Sequence, residues 1–410
     1  MSRFGTLLAT TTALAVVIAL AGCSSEAPVI IAPSPSPTFA PTGDGVLRIG
    51  TILPPDSVAQ VAGVEVAVRE INEQGGIGGA PVELYHRSSG DPASPTAEAS
   101  LEALVALGVD VVIGPDSADL AERLAAPAAA AGVVLISPSA VGLGEIDDSG
   151  FVFTTAVAGS AQGEALAASI VEAGASSIAY LSSDDDAGAQ GEDSLAAALA
   201  DLDAEIAFDE TFGAAVADFG SLVAKTVKAK PDAVVVSAAT TEQAVGLLSA
   251  LATAGIDGSS VWLAGRSTAD YAPSLPVGAL EGATGILLGA QLDEPFTLRL
   301  RQSDPAVTSY PFAAEAYDAT MLAALAVSLN GDDGGPAISR TLRSVSMGGI
   351  PCASFGECLS VLATEPDIDY TGRSGPVDLA ETGDAARGAF TIVSYAASNS
   401  FAPASVVAAG

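Results

Sequence analysis

From Val46 onward the chain alternates short, nearly continuous apolar runs with longer amphipathic, alanine-rich stretches, and this alternation restricts the fold more than any other feature. The candidate strands are 46–53, 82–88, 109–114, 133–137, 151–157, 178–182, 233–237, 261–264 and 285–288, and several of them are nearly continuous apolar runs. Runs with few polar interruptions suit strands covered on both faces. Such strands, separated by helical stretches, predict βαβ units and parallel sheets. In the first helical stretch Val61, Val64, Val68 and Ile71 share a face, while Glu65 and Arg69 form an i,i+4 pair on another. Gly75-Gly76 supplies the stop, because glycine tolerates the left-handed cap. Further helices are predicted over 161–173, 193–202, 241–254 and 311–328, the last with a buried stripe of Tyr317, Met321, Ala324 and Leu325.

The units fall into two groups, from Val46 to about Ala156 and from about Gly159 to Gly285, each long enough for one sheet with helices on both faces. A chain of 410 residues, 49% hydrophobic, has ample material for two cores. Ligands of such sheets bind outside the carboxyl ends of the strands, so the loops after strands are where a site is expected.

The first residues read as a sorting signal: Arg3, an apolar stretch over 7–20, then Leu20-Ala21-Gly22-Cys23, which resembles a bacterial lipobox. By that resemblance residues 1–22 are removed and Cys23 carries the lipid that anchors the protein to the cell membrane on its extracytoplasmic side. Residues 23–45, rich in Pro, Ser and Ala, are expected to form an extended tether. With Cys23 lipidated, Cys352 and Cys358 remain, five residues between them, and in an oxidising compartment the pair reads as one local disulfide. Two free thiols are the alternative. No metal site is expected, since the only histidine, His86, is far away in sequence. A formal net charge of −34, with lysine only at Lys225, Lys228 and Lys230, argues against nucleic acid or an anionic lipid surface as a partner. No phosphate loop, nucleophile elbow or metal-ligand cluster is present, so no cofactor and no enzymatic activity are expected.

The ordered motifs are similar to those of the type I periplasmic solute-binding proteins of the leucine/isoleucine/valine-binding kind, which deliver ligand to ABC transporters. They include Leu47-Arg48-Ile49-Gly50, Gly75-Gly76-Ile77-Gly78-Gly79, Gly90-Asp91-Pro92 and Val112-Ile113-Gly114-Pro115. Later come Lys230-Pro231-Asp232-Ala233, Ala316-Tyr317-Asp318-Ala319, Asp367-Ile368-Asp369-Tyr370 and Ser374-Gly375-Pro376-Val377-Asp378. The likeness runs from about Val46 to Tyr395, and the Cys352/Cys358 pair resembles a feature of many members. It implies an α/β fold of two doubly wound lobes with central parallel sheets, joined by a three-crossover hinge. Lobe 1 would be 46–157 with 288–378 and lobe 2 158–287 with 379–410, the second crossover falling near 287–291.

In leucine-type members the first lobe holds the ligand's carboxylate and ammonium, and the second adds aromatic residues and an acid. Carried onto this chain, the first-lobe positions are Ser117, Ala118, Ser139, Ala140 and Val141. Ser117 either supplies a hydroxyl or only caps a helix. The second-lobe tyrosine positions fall on Ala187 and Ala239, and the acidic position falls on Arg266. Arginine there would repel an ammonium and suit a carboxylate. Asp270 or Tyr271 is the alternative inward group, and Asp184-Asp185-Asp186 either attracts a cation or forms a solvated loop. The expected function is capture of a small solute, an amino acid or related carboxylate, by a monomeric receptor for ABC permease and ATPase subunits. A ligand-sensing receptor component is the alternative, and a carboxylate-dependent hydrolase ranks behind both.

Overall fold

The computed structural model describes residues 42–143, 146, 149–213 and 218–410. Residues 1–41 lie outside them, and with them the lipobox, Cys23 and most of the expected tether.

The first sheet collects β1 (Arg48–Leu53), β2 (Glu83–Ser88), β3 (Val111–Ile113), β4 (Val134–Ser137) and β5 (Val152–Thr154), all parallel in the order β2-β1-β3-β4-β5. The second contains β6 (Ser177–Ser183), β7 (Glu205–Phe212), β8 (Ala233–Ser237), β9 (Val261–Leu263) and β10 (Thr284–Leu288) in the equivalent order β7-β6-β8-β9-β10. Two antiparallel strands, β13 (Gly388–Tyr395) and β14 (Phe401–Ala409), extend it beyond β10. Between β10 and β13 in sequence, β11 (Ile350–Cys352) and β12 (Ile368–Tyr370) make a small parallel pair.

The apolar runs behave as two-sided strands must. Val111 and Ile113 of β3 enter one core and Val112 the opposite one; Val134 and Ile136 divide from Leu135 in the same way. In the second sheet Val234 and Val236 face one core, Ala233 and Val235 the other. Each such side chain contributes about 1.5–3 kcal/mol on burial, so a one-residue register slip would exchange both faces at once.

The helices follow the strands: α1 (Val58–Glu73), α2 (Thr96–Val105) and α3 (Ala118–Ala131) on the first sheet, then α4 (Gly159–Glu172), α5 (Asp186–Ala200), α6 (Gly220–Ala229) and α7 (Thr241–Thr253) on the second. After β10 the chain returns to the first core through α8 (Glu294–Ser303), α9 (Ala313–Asn330), α10 (Gly335–Ser346) and α11 (Phe355–Leu362), which contribute Phe296, Tyr317, Leu342 and Phe355 to it. The chain thus passes between the two bodies three times, after β5, after β10 and before β13.

Three local expectations change. Helix α9 has no solvent face, since Ala313 through Val327 are all buried, Glu315 and Asp318 included. Its contact with α1 is close enough that a Cβ on Gly63 would stand 2.2 Å from the Ala313 carbonyl oxygen. Glu65 and Arg69 form no direct ion pair: Glu65 Oε1 lies 3.4 Å from His86 Nε2, and the Ser303 hydroxyl bridges the two, accepting from Arg69 and donating to Glu65. Helix α5 begins earlier than 193, because Asp185 serves as its N-cap and accepts from the Gly188 amide at 2.8 Å.

The Ala-Tyr-Asp-Ala motif of α9 also acquires a physical role. Asp318 accepts from Tyr370 Oη at 2.9 Å, from the Arg373 and Ser374 amides at 2.8 Å each, and from Ser374 Oγ at 2.6 Å. It therefore fastens the Tyr370 and Ser374-Gly375 motifs to the helix that precedes them by some fifty residues. Cys352 and Cys358 form the expected disulfide, joining β11 to α11.

Candidate functional site

Both sheets reverse their winding between the first and third strand of the sheet, β1/β3 and β6/β8, and at such switch points adjacent loops separate and leave a crevice at the carboxyl edge.

At the second switch point lies a pocket of about 240 Å3 lined by Tyr180, Asp185 and Gly188 from β6 and α5, Ser237 from β8, and Gln162 from α4. Ala187, Ala239 and Arg266, the three second-lobe residues predicted from the sequence, all line it. Its walls are fixed by hydrogen bonds: Tyr180 Oη donates to the Gly188 carbonyl at 3.2 Å, the Ala239 amide to Ser183 Oγ at 2.7 Å, and the Ala238 amide to Ser267 Oγ at 2.7 Å. Gly265, at φ +56°, turns the chain after β9 and presents Arg266 on a short 3-10 turn. The Arg266 guanidinium is exposed and makes no hydrogen bond or ion pair among the described residues. Tyr271 is core rather than cleft: it is fully buried, its hydroxyl donates to the Ser267 carbonyl, and its ring packs on Tyr395. Asp270 is exposed and accepts from the Ala272 amide.

At the first sheet the loops after β3 and β4 are stitched together. Ser137 Oγ donates to the Pro115 carbonyl at 2.6 Å and accepts from the Ala140 amide at 2.9 Å, while Ser139 Oγ donates to the Asp116 carbonyl at 3.2 Å. The Ala140 carbonyl accepts from Thr154 Oγ1. Ser117, Ala118, Ser139 and Ala140 therefore stand on two loops tied to each other, whereas Val141 projects outward, 41% exposed. Glycine is required at 114, at φ +120°, because a Cβ would come within 2.3 Å of the Ile52 carbonyl oxygen. Ser117 occupies the N-cap position of α3 without making the cap hydrogen bond, and its buried hydroxyl has no partner among the described residues. Gln60, on α1 next to the same switch point, is likewise buried with an unpartnered Oε1; nothing in the sequence marks it. Burial raises the pKa of Asp116, and the charge of Asp56 adds to the rise.

None of the first-lobe residues lines the second-lobe pocket. What stands between the two edges is Glu315. Thr155, just past β5, donates from Oγ1 to the Glu315 carbonyl at 2.9 Å, and a Cβ on Gly289, just past β10, would lie 3.4 Å from Glu315 Oε1.

His86 is held between Thr51 Oγ1, 3.0 Å from its Nδ1, and Glu65. Thr51 is only 1% exposed, so its hydroxyl is no accessible nucleophile. Among the described residues no group of three His, Cys, Asp or Glu side chains could hold a metal ion, and no helix is long and apolar enough to cross a membrane.

Comparison with known proteins agrees with this architecture. The chain is 29% identical over 356 residues to the chemotactic signal transduction system substrate-binding protein BasB of Halobacterium salinarum, an alignment covering 81% of this chain and 83% of the relative. It superimposes on the branched-chain amino acid transporter substrate-binding protein LivJ of Streptococcus pneumoniae in complex with isoleucine (TM-score 0.59, 20% identity, 88% of this chain and 99% of that one). A solute-binding protein of an ABC transporter from R. palustris, in complex with benzoate, gives a TM-score of 0.57 at 20% identity, covering 89% and 97%. The family model described as periplasmic binding protein matches residues 54–358, most of the folded body, and the chain belongs to that family.

Proposed function

We propose that the protein is an extracytoplasmic receptor that captures a carboxylate-bearing solute between two lobes and presents it to the permease of an ABC importer. The lobes are 46–157 with 288–378 and 158–287 with 379–410, and lipid on Cys23 holds the protein, a monomer, at the membrane. It performs no chemistry on its ligand and needs no cofactor.

The observation that carries this reading is Arg266: an exposed, unpaired guanidinium lining the pocket at a switch point. A planar fork of donors there suits a carboxylate in a bidentate grip. Isoleucine and benzoate, bound by the two structural relatives, share a carboxylate and little else. Closure follows if the solute touches Arg266 from one lobe and the loops of Ser117 and Ser139 from the other, because a ligand shifts the equilibrium by its preference for the closed form.

A thermal-shift panel of amino acids, aromatic acids, small carboxylates and their amides tests this. Carboxylates are expected to raise the melting temperature, a ligand at 100 times its Kd stabilising by about 2.7 kcal/mol. Arg266→Ala should weaken the best of them by tenfold or more; unchanged affinity removes Arg266 from the site. Amides binding as well as their acids would defeat the carboxylate reading.

A sensing role is the second reading, and its support is the named chemotactic function of the Halobacterium relative. Crosslinking of the liganded receptor in its native membrane decides between them: recovery of a transducer favours sensing, recovery of a permease favours import.

A further inference from the structure

The three crossings between the two bodies converge on one side chain. Thr155, in the first crossing, donates from Oγ1 to the Glu315 carbonyl at 2.9 Å. Gly289, in the second, lies against the Glu315 carboxyl, since a Cβ on it would stand 3.4 Å from Oε1. The third is tied to the second, the Ala290 amide donating to the Ser374 carbonyl at 3.3 Å. The Gly289 amide donates to the Ala389 carbonyl of β13 at 2.9 Å, and Thr391 Oγ1 to the Gly289 carbonyl at 2.8 Å. Ser374 is in turn fastened to α9 through Asp318. Any rotation of one body against the other turns about these bonds, with Glu315 beside them.

Glu315 stands in the first turn of α9, 7% exposed, and among the described residues its carboxyl is bonded only to its own backbone amide. A carboxylate so placed is costly, because burial penalises the charged form. It borders a cavity of about 220 Å3 at the second crossing, walled by Leu288, Leu292, Tyr310 and Phe312. Leu288 is exposed, so water reaches the rim of this cavity. The titratable groups that face Glu315 are Asp318 from its own helix and Tyr310 from the loop before it, whose hydroxyl is engaged by Arg301. The crossings contribute only the uncharged Thr155, Gly289 and Ala290. Burial, with the charge of Asp318 adding to it, pushes the Glu315 pKa up to about 7.

We infer that the Glu315 carboxyl is a proton-operated pin of the hinge. Protonated, it fits between the packed crossings and holds the two bodies as they stand here. Ionised, it favours an arrangement in which the crossings part and the cavity is wet. The arrangement that binds the proton more tightly prevails at low pH, so the present one gives way as pH rises through neutrality. A solute that prefers this arrangement is released over the same range, because linkage is reciprocal. The inference rests on the two-lobe part of the proposed function and adds a control that never touches the ligand.

Pulsed electron paramagnetic resonance tests it by measuring the distance between the bodies. Spin labels are placed on Glu122→Cys in α3 and Glu242→Cys in α7, both exposed and one on each body, in the whole chain carrying Cys23→Ser. Between pH 5 and pH 8 the ratio of two distances is expected to shift by about tenfold, which needs the arrangements to differ in proton affinity by little more than that factor. Glu315→Gln should keep the acid distribution at both pH values. Asp110→Asn removes the other carboxyl raised to about 7, at the amino edge of the first sheet, and should respond to pH as the wild type does. Glu315→Met, of similar length and uncharged, serves as the second variant if the amide disturbs folding. One unchanged distribution in the wild type, or a response that persists in both Glu315 variants, overturns the inference. A distance that ignores pH yet responds to isoleucine or benzoate overturns it and leaves solute capture standing. A pH response lost with Glu315, together with indifference to every carboxylate of the thermal-shift panel, supports the pin and removes capture.

Discussion

The two sheets share one strand order, yet the bodies built on them are completed by different means. The second is closed by backbone: β13 pairs antiparallel with β10 and β14 with β13, so the returning chain is held by ladder hydrogen bonds. The first is closed by side chains, with α8 to α11 packed on its core and the Asp318 carboxylate holding the Tyr370 and Ser374 segment. The same contrast runs into electrostatics. The carboxyls pushed up to about 7, Asp110 and Glu315, both belong to the first body, whereas the second offers the unpaired Arg266. One topology therefore tolerates two strategies, and the one that relies on buried polar groups is the more exposed to substitution and to pH.

The only tryptophan, Trp262, lies in a core of the second body, so its fluorescence separates the two in an unfolding experiment while far-UV circular dichroism reports on both. The largest expected effect is that of Asp318→Ala. It leaves a buried tyrosine hydroxyl, the buried Ser374 amide and the part-buried Arg373 amide without an acceptor, and a loss of about 3–5 kcal/mol follows. The dichroism transition should move to lower denaturant well ahead of the Trp262 transition. Coincident shifts of equal size would mean that the bodies unfold as one and would break the contrast.

The next effect comes from pH. A carboxyl whose folded pKa is raised is protonated in the folded state over a range where the unfolded chain has already lost its proton. Stability is therefore full below about pH 4.5 and falls as pH rises to about 7, by about 3 kcal/mol for Glu315. Asp110, raised chiefly by burial, acts in the same direction. Melting at pH 5 and pH 8 should differ accordingly, and Glu315→Gln should reduce the difference by the share of Glu315 while that of Asp110 remains. A wild-type melting temperature higher at pH 8 would contradict the sign.

A smaller loss is expected on removing the disulfide. Cys352 and Cys358 close a short loop, for which chain entropy gives about 2 kcal/mol. Paired serine substitutions should lower the dichroism transition by that amount and leave Trp262 unaffected.

These contrasts were only partly legible in the sequence. All nine predicted segments form strands, most of them because burial on two faces leaves a composition signal that needs no tertiary context; β2, with no buried residue, is the exception. Strand β7 escaped, since Glu205, Asp209 and Glu210 interrupt its apolar residues at a sheet edge. Strand β14, short-sided and largely exposed, has no core-facing pattern to read. At the site, Arg266 could be singled out because its charge is opposite to that implied by the family resemblance. Glu315 could not: in sequence it is a polar residue on an alanine-rich helix, and it is buried beside residues such as Gly289 and Thr155 that lie far from it along the chain.

The smallest effect on stability is the sharpest probe of the first body's edge. Ser117 occupies an N-cap position, and a working serine cap is worth about 1 kcal/mol. Its hydroxyl makes no cap hydrogen bond and is buried without a partner among the described residues. Ser117→Ala should therefore change the stability of the unliganded protein by less than about 0.5 kcal/mol, since the desolvated hydroxyl contributes no bond that alanine would lose. If the hydroxyl is held free for a solute, the same substitution should cost about tenfold in the affinity of the best carboxylate, the worth of one hydrogen bond to a charged group. A stability loss near 1 kcal/mol with unchanged affinity would assign Ser117 to the cap alone. Recognition of the ligand would then shift toward Arg266, and the first edge would serve chiefly as a wall.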